Sequence, residues 1–225
     1  MSAQLVLDPQ DLTTTSHWTP AGPIPPAPRQ FGRFPDVRKW LPGDLLLFSA
    51  VSPNWIAQQI IQGQKRGYAE EDACWHHAAV YLGDGVSICE AVITGVRYTP
   101  IYPYILGDYR LRVRRDNSLS DEERWKIAIQ SLTRLASPYG FKGIVSLALQ
   151  SWRGFWTSSG SLPYLGARAV ICSQLYSDSY SLVTERLLVK NPTGTVKPAD
   201  LSLAPLLTDV ATTWLKIGAA PSSGQ

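Results

Sequence analysis

Histidine is scarce: the 225 residues hold three, His17, His76 and His77. Cysteine is as scarce, with Cys74, Cys89 and Cys172 at irregular spacing, an odd number that argues against a disulfide framework. No run of about 18 apolar residues exists to cross a bilayer. The opening MSAQLVLDPQDLTTTSHW has neither a basic start nor an apolar centre, so no cleaved secretory leader is expected, and the chain is expected in the cytoplasm of the cell that makes it. An excess of one charge is missing too. The net charge is +3, and the one basic group, Arg110, Arg112, Arg114 and Arg115, alternates as on a strand. That pattern fits a solvated face better than a nucleic-acid surface.

What is present is the composition of a globular protein, 44% hydrophobic and 17% charged, with a length that suits one domain with extensions. Residues 19 to 35 carry six of the 17 prolines, a bias toward extended polyproline geometry. Residues 1–39 are therefore expected as a proline-rich N-terminal arm, and residues 40–225 as the domain. Within the domain, the run Leu45 to Phe48 after Pro42-Gly43 reads as a buried strand. Residues 54 to 62 read as a short helix capped by Asn54. Two strand-like runs, Ala78 to Leu82 and Val86 to Ala91, flank Gly83-Asp84-Gly85, a strong hairpin signal. A helix is predicted from Ser120 as N-cap, with Glu123 as its capping-box partner and Trp125, Ala128, Ile129, Leu132 and Ala136 on one face.

A nucleophilic cysteine must ionise, which a helix N-terminus or a neighbouring imidazolium favours. Cys172 lies where a short apolar run gives way to the helix-like SQLYSDSYSLV, so first-turn N–H groups would also face an oxyanion. Cys74 and Cys89 suit small buried hydrophobes better. For the base, strand parity separates the adjacent histidines. A two-residue Asp84-Gly85 turn sets Ala79 opposite Glu90, which puts His77 and Glu90 on one face as diagonal neighbours about 7 Å apart, within side-chain reach. His76 then points the other way, toward Cys89. A three-residue loop would reverse every one of these assignments. Cys172, His77 and Glu90 are thus candidates for nucleophile, base and orienting carboxylate, although a lone strand histidine is more often structural. A competing reading gives Cys74, His76 and Cys89 to zinc in a non-enzymatic module, with no fourth ligand in sight.

Four stretches, LPGDLLLF at 41–48, HHAAVYLGDG followed by ICEAVITGV, PYGF at 138–141 and VICSQLY at 170–176, resemble the circularly permuted NlpC-type papain-like cysteine hydrolases, the YiiX/YaeF-like group. They span roughly residues 40 to 205 in the order His before Cys, with Gln174 where that group usually has Glu. The resemblance implies an α+β fold, an antiparallel sheet or half-barrel packed against helices, with the nucleophile at a helix N-terminus. It also implies no cofactor, and a triad of Cys172, His77 and Glu90 acting through a thioester. Amides are its usual substrates, notably the peptide stems of bacterial cell wall. An antibacterial effector, exported by a dedicated secretion system to a target periplasm and restrained by an immunity or inhibitor protein, fits the same resemblance. The related lecithin:retinol acyltransferase-like proteins supply the alternative, lipid acyl-ester chemistry at a membrane, for which Trp152 and Trp156 would offer an interfacial face.

Overall fold

An apolar run without polar interruption suits a strand covered on both faces, and Leu45, Leu46, Leu47 and Phe48 are all fully buried. They form the centre of an antiparallel sheet packed against helices, an α+β architecture. The structure, a computed structural model, describes residues 5–11, 14–18, 24–137, 171–189 and 195–217. In chain order these form β1 (Val6–Leu7), β2 (Thr14–Trp18), α1 (Pro26–Phe31), β3 (Arg33–Pro35), β4 (Leu45–Ala50), α2 (Trp55–Gln64), α3 (Glu70–Ala73), β5 (His77–Tyr81), β6 (Ser87–Val92) and β7 (Gly95–Pro100). There follow α4 (Tyr102–Leu106), β8 (Tyr109–Arg115), α5 (Asp121–Leu132), α6 (Cys172–Thr184), α7 (Pro198–Leu203), β9 (Thr208–Val210) and β10 (Trp214–Ile217). PYGF at 138–141 and the apolar stretch with Trp152 and Trp156 lie outside the described residues.

The main sheet runs β1-β8-β4-β5-β6-β7, with β9 also on β8. Alternation along β4 and β5 sorts side chains into two cores. Leu45, Leu47, Ala78 and Val80 pack with Ile127 of α5 and Leu175 of α6; Leu46, Phe48, Ala79 and Tyr81 pack with Trp40, Ile101 and Trp214. A small second sheet joins β10 to β2 in parallel and to β3 in antiparallel.

The β5–β6 hairpin pairs Ala79 with Glu90, Val80 with Cys89 and Tyr81 with Ile88, the register that an Asp84-Gly85 turn predicts. Gly83 and Gly85 both take positive φ, 88° and 87°, a conformation that glycine adopts without the usual side-chain penalty. Between them the Asp84 carboxylate accepts the N–H groups of Val86 and Ser87 at 3.0 and 2.6 Å.

Three expectations give way. The described parts of residues 1–39 pair with the rest of the chain instead of standing apart as an arm: β1 extends the main sheet, and β2 and β3 flank β10. Proline does not prevent helix here, because Pro26 occupies the first turn of α1, where its missing N–H has no partner to lose. The arginines of β8 are not a solvated face either. Arg110, Arg112 and Arg115 pair with Asp8, Asp209 and Asp44 at 2.7–2.9 Å, and Arg114 is buried and donates to the carbonyl of Leu201 at 2.9 Å. In α5, the capping box of Ser120 and Glu123 forms, but the buried stripe is Arg124, Ile127, Ala128 and Ser131. Trp125 and Ile129 are half exposed. The helix comes close to the turn before β4: a Cβ on Gly43 would meet the Arg124 carbonyl oxygen at 2.7 Å, which leaves no room for the tryptophan on that side.

Candidate active site

His77 opens β5 opposite Phe48 of β4. Its ring stacks on Tyr104 of α4 with centroids 5.7 Å apart and on Phe48 at 5.8 Å, and Phe48 and Tyr104 stack on one another at 4.2 Å. Aromatic contacts on this scale restrict ring rotation. The imidazole Nε2 lies 2.6 Å from Oε2 of Glu90, closing the diagonal gap across the hairpin. Glu90 is completely buried. It also accepts from the Tyr104 hydroxyl and, at 2.9 Å, from Nε of Arg97, its direct cross-strand partner on β7. Burial alone would push the Glu90 carboxyl up, but the bonds from His77, Tyr104 and Arg97 outweigh it and bring the pKa down to about 2.

Cys172 is the first residue of α6, after Ile171 in extended conformation. It is buried, and the neighbouring His77 and the backbone N–H groups of Ala78 and Ser173 favour its ionised form. Since Nε2 of His77 is turned to Glu90, Nδ1 is the ring nitrogen left for the sulfur. Burial opposes ionisation of the thiol, yet the His77 bond and charge more than compensate and lower the Cys172 pKa. Burial likewise opposes the imidazolium, while the bonds to Cys172 and Glu90 raise His77 to about 10. The arrangement favours a thiolate–imidazolium pair over two neutral groups.

The pair opens on a cavity of about 320 Å³. Ile56 and Ile60 of α2 form one wall, Val92 and Ile93 at the end of β6 another, and Arg97 reaches its edge.

The structure therefore brings Cys172, His77 and Glu90 together. His76 does not join Cys89 on the opposite face. It precedes the regular part of β5, lines the same cavity, and accepts the Ala50 N–H on Nε2 at 2.9 Å. Burial and the charge of His77 pull its pKa down to about 4, so it serves as a neutral acceptor. The zinc set is not assembled: Cys74 donates to the Glu71 carbonyl at 3.3 Å and Cys89 to that of Ser131 at 3.4 Å. Among the described residues no three His, Cys, Asp or Glu side chains gather as a metal site needs. Gln174 is tied to the Val196 N–H and to Asp178. Two participants were not expected. Arg97 could have been found by carrying the hairpin register one strand further, whereas Tyr104 sits in a short helix within IYPYILG, where nothing in the sequence marks it.

No family model matches the chain, and no curated protein matches it. Among solved structures, the crystal structure of the metalloprotein YiiX from Escherichia coli O157:H7 superposes with a TM-score of 0.53, over 77% of this chain and 97% of that one, at 20% identity. The fold resembles that of YiiX. YiiX is a metalloprotein; among the described residues of this chain no three His, Cys, Asp or Glu side chains are grouped to hold a metal.

Proposed function

We propose that this chain is a cysteine hydrolase on a circularly permuted papain-like fold, with Cys172 as nucleophile, His77 as general acid and base, and Glu90 as the carboxylate that orients the imidazole. The observation that carries the reading is a His77 imidazole held through Nε2 by the buried Glu90 carboxylate and near enough to Cys172 to lower the thiol's pKa. The Cys172 thiolate attacks the substrate carbonyl. Charge that develops on the carbonyl oxygen meets the first-turn N–H groups of α6, which lack intrahelical partners. The His77 imidazolium protonates the leaving amine or alcohol, leaving a thioester on Cys172. Neutral His77 then takes a proton from water, whose hydroxide attacks the thioester and releases the acid and the thiolate. Glu90 stays ionised throughout and holds the tautomer.

Amides of cell-wall stem peptides are the substrates that the sequence resemblance favours, with the enzyme as an exported antibacterial effector. A second reading, hydrolysis or transfer of lipid acyl groups, draws support from the apolar walls around Cys172. The two are separated by incubating wild type and Cys172→Ala with purified cell wall and with phospholipid vesicles. Release of muropeptides or of fatty acid by wild type, and by the variant not at all, is the expected result. Full activity in a folded Cys172→Ala protein would end the cysteine mechanism, and recovery of the protein solely in its own producer's cytosol would end the effector reading.

A further inference from the structure

The cavity beside Cys172 is chemically lopsided. Its walls include Ile56, Ala57 and Ile60 from α2 and Val92 and Ile93 from the end of β6. Among the described residues that line it, Arg97 is the one permanently charged side chain, and no carboxylate is present. Glu90, which neutralises Arg97 from behind, is sealed off: it has no exposed surface, while 51% of the Arg97 side chain is exposed. Nε and Nη2 of Arg97 lie 2.9 and 2.8 Å from the same Glu90 oxygen. A guanidinium has five N–H donors, and the bonds to Glu90 and Tyr104 leave part of that set available. A ligand in the cavity therefore meets apolar surface on most sides and a cationic donor at one edge. Apart from the Cys172 thiolate, a free amine would find no counter-charge among those residues.

We infer that the substrates are amphiphilic acyl compounds, with an apolar group against α2 and an anionic group, carboxylate or phosphate, held by Arg97. This rests on the reading of Cys172 as the reacting group, and it makes Arg97 a binding residue as well as a partner of Glu90. Guanidinium recognition of carboxylate and phosphate is charge-assisted and strong in a partly desolvated site. The apolar wall adds affinity of about fourfold for each buried methylene.

The test uses Cys172→Ala protein, which binds without turnover, and three probes: N-octanoylglycine, its uncharged match N-octanoylglycinamide, and octyl phosphate, each titrated by calorimetry. The acid is expected to bind about tenfold or more tighter than the amide. Adding Arg97→Met should abolish that preference, read as the ratio of acid to amide affinity within each protein, and Arg97→Lys should keep part of it. Octyl phosphate binding tighter than the acid assigns the anion to a phosphate source, and weaker binding assigns it to a carboxylate. Equal affinity for acid and amide, absence of binding by all three, or a preference that survives Arg97→Met would overturn the inference. Separately, wild type is assayed for cleavage of the acid and the amide. Preferential binding without cleavage of either would leave the anion site standing and count against the cysteine chemistry. Cleavage without charge preference would do the reverse.

Discussion

The ring of Tyr104 lies nearly parallel to the imidazole of His77, 18° from coplanar, while its hydroxyl donates to Glu90. One side chain from a five-residue helix thus holds both the ring and the carboxylate that orients it. Tyr104→Phe keeps the stack and removes the donor, leaving a buried carboxylate one bond short. In urea unfolding that should cost about 1–3 kcal/mol. Tyr104→Ala also empties the space between Phe48 and His77 and should cost about 3–5 kcal/mol. A Phe variant as stable as wild type would show that the hydroxyl contributes nothing.

Alkylation by iodoacetamide reads the thiolate directly. Because His77 lowers the Cys172 pKa, the rate at Cys172 should remain high well below the ordinary thiol range of about 8.5. In His77→Ala only the N–H groups of Ala78 and Ser173 are left to offset burial, so the rate at pH 7 should fall by at least about tenfold, one pKa unit being a factor of ten. Cys89, pushed up to about 11 by burial, supplies a slow internal reference. Identical Cys172 profiles in the two proteins would remove the ion pair.

Acid should loosen the fold through Glu90. Its folded pKa of about 2 lies below the ordinary value of 4.5. The unfolded chain therefore takes up this proton first, and the stabilisation is complete above the ordinary value and fades as pH falls toward 2. The difference corresponds to about 3 kcal/mol. Glu90→Gln should flatten that portion of the stability–pH curve, measured by urea unfolding from pH 7 to pH 2. A variant curve parallel to wild type would mean that other carboxylates govern acid sensitivity.

The hairpin turn offers a paired comparison. Gly83 and Gly85 share the same backbone strain for any L residue. A Cβ on Gly83, however, would meet Pro42 Cγ at 2.6 Å, and one on Gly85 would meet nothing within 4 Å. Gly85→Ala should cost about 1 kcal/mol from backbone conformation alone. Gly83→Ala should cost about 1–3 kcal/mol more from crowding. Thermal melts of the two variants give the difference, and equal melting temperatures would show that Pro42 moves aside freely.

The parts of the site that lie on regular, locally signalled structure were legible. Asp-Gly between apolar runs fixed the hairpin register, parity then put His77 beside Glu90, and Asn54 and Ser120 marked their helices as N-caps. What escaped depended on contacts between distant segments. The pairing of β1 with β8 and of β3 with β10 has no local signal, so proline content suggested an arm. The outward turn of Trp125 follows from how near α5 comes to Gly43, and helical periodicity is blind to that distance. His76 lies one residue before β5, outside the strand whose alternation would send it to the face of Cys89.

One edge of β8 is shared by two short pieces of chain: Val6 and Leu7 lie beside Arg112 and Leu111, and Thr208 to Val210 beside Arg115 to Val113. The first is made long before β8 leaves the ribosome, and the second long after. During synthesis, the upper half of that edge therefore stays an open row of N–H and C=O groups until nearly the whole chain has emerged, the interval in which an unpaired strand recruits another copy. A chain interrupted before Thr208 would keep that half of the edge open as an adhesive seam.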